Sequence, residues 1–231
     1  MQTKAVIFDF DDTLVYSYPG FQKAEENFVQ TLCEIGLSDR SSILNYLHEA
    51  DIRNVQKAGY FAGYCFPEAV KETYRYFCGQ TGIALDFELE KRIVQSAWDV
   101  FKAEIELIDG AASLLEALSV YMPLFLLTQG EQEIQRDRLK RSGLGKYFKT
   151  SYFVHNKTAG VLNDIIEKEH LDAKNSWMIG NSLRFDIAPA LVMGMNIIHY
   201  TNSNEWIYDK ANVNGEYHTV YDLQRIKELI L

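Results

Sequence analysis

Short apolar runs alternate with helix-length amphipathic segments along much of the chain, and this alternation predicts the fold. The runs that predict strands lie at residues 5–10, 123–128, 151–155, 176–180 and 196–200. After residue 108, each run is followed by a segment whose apolar residues recur about every 3.6 positions, as in an amphipathic helix. Strands that alternate with helices are typical of a parallel sheet covered by helices. We therefore predict an α/β fold with a Rossmann-like, doubly wound parallel sheet.

Residues 17–108 interrupt this alternation, because they contain helical patterns without a convincing strand. One face of the first such segment carries the apolar residues Phe21, Ala24, Phe28, Leu32 and Ile35. Residues 57–69 combine glycine, aromatic residues and proline, which predicts a loop between two helices. We therefore predict an all-helical inserted domain at 17–108 and a core domain formed by 1–16 and 109–231.

The composition restricts the classes of partner. The chain has 231 residues, is 47% hydrophobic and carries a formal net charge of −9, which disfavours binding to nucleic acid or to an anionic membrane. Its longest apolar stretches are far shorter than the roughly 20 residues of a membrane helix. The N-terminal stretch lacks a signal-peptide pattern and the three cysteines form no C-x-x-C pair, so we expect a cytoplasmic protein. The five histidines show no zinc-binding spacing.

Three carboxylates follow the first predicted strand, where the sequence reads AVIFDFDDTLV. Asp9, Asp11 and Asp12 stand at the carboxyl end of a segment that should be buried. Burying carboxylates without partners costs several kcal/mol each, so packing gives no reason for the cluster. Asp9 and Asp11 would point to opposite sides of a regular strand but can converge if the chain turns after Asp9. A divalent cation such as Mg²⁺ would relieve their repulsion.

The carboxyl ends of the other strands carry further polar groups. Each is weak evidence alone, since a threonine and glycine often form only a turn, a lysine is usually solvated and an aspartate often caps a helix. These groups are Thr128, Gln129 and Gly130 after the second strand, Lys157 after the third, and Gly180, Asn181 and Asp186 after the fourth. The basic residues that follow, Arg136, Arg138, Lys140, Arg141, Lys146 and Lys149, are interpreted as an exposed helix and its trailing turn.

As an ordered set, D-x-D-x-T, T-x-G, K and G-N-x-x-x-x-D make the chain similar to the haloacid dehalogenase-like (HAD) hydrolase superfamily. The four motifs cover the core from residue 4 to about 200. The helical segment 17–108 lies between the first and second motifs, where many members of this superfamily carry a helical cap. The resemblance therefore implies a Rossmann-like core with an inserted all-helical cap domain.

The resemblance also implies a role for each motif residue. Asp9 would be the nucleophile that forms an aspartyl-phosphate, and Asp11 would be the general acid and then the general base. Lys157 would offset the phosphoryl charge and orient Asp9, while Thr128 would bind phosphoryl oxygens. The groups expected to hold the turn or contact the substrate phosphate are Thr13, Gln129, Gly130 and Asn181, with open backbone N–H groups at Gln129 and Gly130.

A magnesium ion is the cofactor that the resemblance implies. Its expected ligands are the Asp9 side chain, the Asp11 backbone carbonyl and the Asp186 side chain. Asn181 departs from the family pattern, because this position is often aspartate and the change removes a charge from the metal site. We expect weaker metal affinity with retained activity; if Asn181→Asp left the Mg²⁺ requirement unchanged, this hypothesis would fail.

The leading functional hypothesis is a Mg²⁺-dependent phosphatase that hydrolyses a small-molecule phosphate monoester, with a nucleotide, a flavin nucleotide or a sugar phosphate all open. Asp11 favours phosphoryl chemistry, because the hydrolytic dehalogenases of the superfamily lack an acid at this position. The alternatives are a phosphotransferase or mutase with the same intermediate, and a non-catalytic binder that retains the fold. We expect a small phosphorylated metabolite as partner, no nucleic acid or membrane, and a monomer or homodimer.

Overall fold

The computed structural model describes residues 3–201 and 206–231 and divides into two compact units. Met1–Tyr18 and Ile105–Leu231 form one of them, the α/β unit, and Pro19–Glu104 form the other, the helical unit. Among the described residues, no helix is both long enough and apolar enough to cross a membrane.

Four helices form the helical unit: α1 (Tyr18–Glu34), α2 (Arg40–Ala58), α3 (Cys65–Thr81) and α4 (Phe87–Asp99). No strand occurs in residues 19–104, all of which the structure describes. Two helices begin at an aspartate whose carboxylate accepts backbone N–H bonds, Asp39 before α2 and Asp86 before α4. The loop predicted at 57–69 is shorter in the structure, because α2 continues to Ala58 and α3 begins at Cys65.

Three titratable side chains of the helical unit interact between α1 and α2. The His48 Nε2 atom lies 3.2 Å from Glu25 Oε2, and this bond raises the pKa of His48. Burial, followed by the charge of Glu25, raises the pKa of Asp51 to about 7, although His48 opposes the shift. Ionising Asp51 in the folded protein is therefore unfavourable compared with ionising it in the unfolded chain.

The α/β unit is built on a six-stranded, fully parallel sheet, which confirms the predicted fold class. Its strands are β1 (Val6–Phe8), β2 (Leu124–Gln129), β3 (Thr150–Val154), β4 (Trp177–Gly180), β5 (Asn196–Tyr200) and β6 (His218–Val220). The spatial order is β3-β2-β1-β4-β5-β6. β2 and β3 are added on one side of β1, and β4, β5 and β6 on the other. The carboxyl end of β1 therefore lies at the switch point, where sheets of this kind bind ligands.

In the described part of this unit, five α-helices cover the sheet: α5 (Ala111–Ser119), α6 (Gln132–Ser142), α7 (Ala159–Lys168), α8 (Ala188–Val192) and α9 (Gln224–Ile230). Alternate residues of β1 and of the position before it belong to two separate hydrophobic clusters, because successive side chains of extended chain point to opposite faces. Val6 and Phe8 pack with apolar residues of α5, α6 and α9. Ala5 and Ile7 pack with residues of α7 and α8. The sheet is thus buried on both faces, which holds the ends of its strands rigidly.

Candidate active site

The chain turns sharply after β1, so that Asp9 and Asp11 no longer lie on opposite sides of a strand. The Phe10 carbonyl accepts hydrogen bonds from the N–H groups of Leu14 and Val15, at 2.9 and 3.2 Å. The Asp9 N–H still donates to the Ile179 carbonyl of β4 at 2.8 Å. Asp9 is therefore fixed by the sheet, whereas Asp11 is fixed by the turn. This turn was the condition for the two carboxylates to converge.

Asp12 is the residue that gives the turn its shape. Its φ of 54° lies in the left-handed region, which aspartate tolerates better than most residues do. Its carboxylate accepts hydrogen bonds from the N–H groups of Ser17 and Tyr18 at 3.0 to 3.1 Å. Asp12 thus stabilises the segment between β1 and α1 and is not directed at the other two carboxylates.

Lys157 bridges two buried carboxylates at the carboxyl ends of different strands. Its Nζ donates to Asp9 Oδ1 and, at 2.6 Å, to Asp186 Oδ1. The three residues are 5%, 4% and 1% exposed, respectively, so the cluster is withdrawn from bulk water. The other oxygen of each carboxylate is also oriented: Thr13 Oγ1 donates to Asp9 Oδ2 at 2.8 Å, and the Ser182 N–H donates to Asp186 Oδ2 at 3.0 Å.

Burial and charge have opposite effects on the pKa values of this cluster. Burial raises the pKa of Asp9 to about 7 against the attraction of Lys157. Burial also raises the pKa of Asp186, and Lys157 again opposes the shift. For Lys157, burial alone would lower the pKa, but the charges of Asp186 and Asp9 outweigh it and raise the pKa. A protonated lysine thus compensates one of the two carboxylates.

The segment after β4 places Asp186 and Asn181. A single π-helical turn, Leu183–Ile187, carries Asp186, and such turns often occur at functional sites. Gly180 lets this turn come close, because a Cβ atom there would overlap the Asp186 side chain. The Asn181 side-chain amide lies 3.5 Å from Thr13 Oγ1, whose proton is donated to Asp9, and the Asn181 backbone carbonyl lies 2.9 Å from His199 Nε2. Sequence reasoning did not anticipate this contact of His199.

The end of β2 supplies a buried hydroxyl and a linking amide. Thr128 is buried and is the last but one residue of β2, and the Gln129 Oε1 atom accepts a hydrogen bond from the Lys157 backbone N–H at 3.1 Å. The Gly130 N–H donates to the Val154 carbonyl at 2.9 Å, so it is used within the sheet and the expectation of an open amide there is wrong. The backbone N–H groups of successive residues in a parallel strand point to opposite neighbouring strands. Since the Gly130 N–H points to β3, the backbone N–H of Gln129 points to the β1 side.

Two residues of α6 reach this site, and sequence reasoning missed both of them. Arg138 is 8% exposed and forms an ion pair with Asp11. Its assignment to an exposed helix was therefore wrong, although Arg136 and Lys140 on the same helix are exposed. The Gln135 Nε2 atom donates to both Asp11 Oδ2 and Thr128 Oγ1, each at 2.6 Å. The helical period could have identified them, since Gln135, Arg138 and the buried Leu139 share one face.

The structure thus brings the predicted residues of all four motifs into one connected network. Lys157 links the first, third and fourth motifs through Asp9 and Asp186, and Gln135 links the first and second through Asp11 and Thr128. Within the described residues, no group of three or more His, Cys, Asp or Glu side chains is placed to hold a metal ion. The expected magnesium ligands include only two side chains, and Mg²⁺ commonly uses one or two carboxylates and retains several waters.

Comparison with known proteins identifies the family. The family model described as haloacid dehalogenase-like hydrolase matches residues 3–194. The chain belongs to this family of hydrolases. A curated relative, the putative HAD-hydrolase YfnB of Bacillus subtilis, is 23% identical over 98% of this chain and 93% of its own. A solved structure of YfnB bound to magnesium has a TM-score of 0.65 at 20% identity and covers 100% of this chain and 99% of that one.

A haloacid dehalogenase-like family hydrolase from Xanthomonas campestris has a TM-score of 0.81 at 24% identity, and the match covers 98% of this chain and 91% of that one. Structures described as dehalogenases and as phosphatases share the fold too, at TM-scores of 0.61 to 0.64 and identities of 14 to 18%. The haloacid dehalogenase-like fold therefore occurs with both reactions among these neighbours, and the choice between them depends on the residues of the site.

Proposed function

We propose that the protein is a Mg²⁺-dependent phosphatase that hydrolyses a small-molecule phosphate monoester through an aspartyl-phosphate intermediate. One observation carries this proposal: a second carboxylate, Asp11, lies beside the Thr128 hydroxyl, with a single amide nitrogen hydrogen-bonded to both. A phosphate monoester needs an acid at this place, because its alkoxide leaving group must be protonated. Halide leaving groups need no proton, and the dehalogenases of this family lack the acid.

The residues divide the reaction into two displacements. In the first, an Asp9 oxygen attacks phosphorus, the bond from phosphorus to the ester oxygen breaks, and Asp11 gives its proton to that oxygen. In the second, a water molecule attacks the same phosphorus and gives a proton to Asp11. The bond between phosphorus and the Asp9 oxygen then breaks, which releases inorganic phosphate and regenerates both carboxylates. Lys157 offsets the negative charge of the phosphoryl group throughout.

The donor set around Asp9 fits a magnesium ion. The Asp9 and Asp186 side chains and the Asp11 backbone carbonyl provide only oxygen atoms, which hard divalent cations prefer. The two carboxylates share a single lysine ammonium, so the buried cluster has an excess of negative charge. Asp9, Asp11 and Asp186 would hold the ion, and when bound it would act as a Lewis acid on the phosphoryl oxygens. The magnesium-bound relative is consistent with this assignment.

The test is the release of inorganic phosphate from p-nitrophenyl phosphate and from a panel of phosphorylated nucleotides, flavin nucleotides and sugars, with Mg²⁺ or with EDTA. We expect Mg²⁺-dependent phosphate release that Asp9→Asn abolishes, because an amide cannot form the phosphoenzyme. Free phosphate distinguishes hydrolysis from transfer to a second hydroxyl. Chloride release from 2-chloroacids, without phosphate release from any ester, would refute the proposal in favour of a dehalogenase.

A further inference from the structure

The inward face of α6 forms a polar link between Asp11, in the turn after β1, and Thr128, near the end of β2. Gln135 and Arg138 are three positions apart, so they lie next to each other on the helix. Both are buried, at 4% and 8% exposure, and Arg138 Nη1 donates to Gln135 Oε1 at 3.2 Å. The guanidinium carbon of Arg138 also lies 5.7 Å from the centre of the Phe10 ring, which limits its movement.

The neighbours of Gln135 determine which way its side-chain amide is oriented. Arginine can only donate, so the Gln135 atom that faces Arg138 is the amide oxygen, and the atom that contacts Asp11 is the amide nitrogen. The same nitrogen donates to Thr128 Oγ1, which therefore acts as an acceptor. The hydroxyl proton of Thr128 can therefore be donated to another acceptor. In the proposed reaction this acceptor would be a phosphoryl oxygen of the substrate. Gln135 thus orients Thr128 as a donor.

The carboxylate of Asp11 receives one donor on each oxygen. Arg138 donates to Oδ1 and Gln135 donates to Oδ2, so both the position and the plane of the carboxylate are defined. The side chain itself is 29% exposed and lies on a turn, where it would otherwise rotate about two bonds. An acid that must give its proton to one particular oxygen gains rate from being held in place.

We propose that Gln135 and Arg138 are positioning residues that hold Asp11 for proton transfer to the leaving oxygen. This inference rests on the proposed phosphatase function. α6, which lies outside the four motifs, would then contribute to catalysis through Asp11. The loss of rate caused by replacing Arg138 should depend on the leaving group. An alkoxide leaves slowly without a proton, whereas p-nitrophenolate departs readily as an anion. A purely structural role would lower the rate with both leaving groups by the same factor.

The experiment compares kcat/KM for an alkyl phosphate and for p-nitrophenyl phosphate, because this ratio covers the steps through departure of the leaving group. For Arg138→Ala we expect a loss of about 10²-fold or more with the alkyl phosphate, the usual range for general acid catalysis, and a much smaller loss with the nitrophenyl ester. Arg138→Lys, which keeps the charge, should recover part of the rate. The matched control is Arg136→Ala, an exposed arginine on the same helix, which should leave both rates unchanged.

A double-substitution cycle tests whether Arg138 acts through Asp11. In an Asp11→Asn background the acid is already lost, so adding Arg138→Ala should cost little more with the alkyl phosphate. Equal losses with both substrates, or additive losses in the cycle, would overturn the positioning role while the phosphatase proposal stands. If the wild-type protein hydrolyses neither ester, the proposed function fails and this inference fails with it.

Discussion

Replacing Lys157 by methionine removes the ammonium group that lies between Asp9 and Asp186 while keeping an unbranched side chain. Both carboxylates are at least 95% buried, so neither can recover its charge compensation from water. The folded variant then has to bind one more proton on these carboxylates than the wild-type protein does. At pH 7, protonating an aspartate of ordinary pKa costs about 4 kcal/mol, since each unit is worth about 1.4 kcal/mol. Breaking a buried ion pair generally costs about 3–5 kcal/mol, which agrees.

The same reasoning gives the direction of the pH dependence. Without Lys157, burial holds the folded-state pKa of the carboxylates above the unfolded value, so the penalty grows as the pH rises above the unfolded pKa and shrinks as the pH falls towards it. At pH 5 the cost of protonating one aspartate is only about 1.5 kcal/mol. We therefore expect Lys157→Met to lower the free energy of unfolding by about 4 kcal/mol at pH 7 and by less than half of that at pH 5.

The assay is urea unfolding in EDTA, followed by the fluorescence of Trp177 in β4 and of Trp206, which lies in the same unit. A Trp98→Phe background removes the tryptophan of the helical unit, so the signal reports on the α/β unit. The matched control is Lys149→Met, which removes an exposed lysine paired with Glu169 at 2.8 Å and should cost at most about 1 kcal/mol. A loss below about 1 kcal/mol for Lys157→Met, or an equal loss at both pH values, would show that the lysine does not compensate these carboxylates.

Two further predictions, the first with a matched control variant, test other parts of the structure. Gly180→Ala should displace Asp186 and sharply lower phosphate release, whereas Gly79→Ala, at an exposed helical position with open space, should leave activity unchanged and raise the melting temperature slightly. Asp51→Asn should stabilise the helical unit at pH 8 by up to about 4 kcal/mol, because the folded pKa of about 7 exceeds the ordinary 3.8. The penalty is absent below the unfolded pKa and grows until the pH passes the folded one, so the gain should fall to about 1.5 kcal/mol at pH 5 and disappear only below about pH 4; thermal melts of both proteins at the two pH values measure it.

The fold was predictable because the sheet is buried on both faces. Strands of this kind appear as continuous apolar runs, and the runs at 123–128 and 176–180 correspond closely to β2 and β4. The sixth strand, His218–Val220, was missed, because it has three residues and only Val220 is buried. The turn after β1 shortens that strand to Val6–Phe8, which hydrophobicity alone cannot show since Phe10 is also buried.

The meeting of Asp9, Lys157 and Asp186 was predictable from topology, because the carboxyl ends of parallel strands meet at one edge of the sheet. Their bonding was not. Whether a lysine bridges two carboxylates or extends into water depends on the loop that carries it, and here the Gln129 side chain fixes the backbone of Lys157. Similarly, the N–H of Gly130 was expected to be open, but the continuation of β3 as far as Val154 provides it with an acceptor.

Arg138 shows why a basic helix cannot be assigned to the surface from its composition. α6 is the most polar of the helices that cover the sheet, and most of its charged residues are exposed, but one polar pair faces inward beside Leu139. A buried arginine is stable only next to a compensating charge, and Asp11, which comes from a turn 127 residues earlier in the chain, provides it. The requirement is mutual, because Asp11 also needs a donor to stay in place. The helical period places Arg138 on the face of the buried Leu139, but the carboxylate that makes its burial favourable comes from the turn after β1 and cannot be found within the helix.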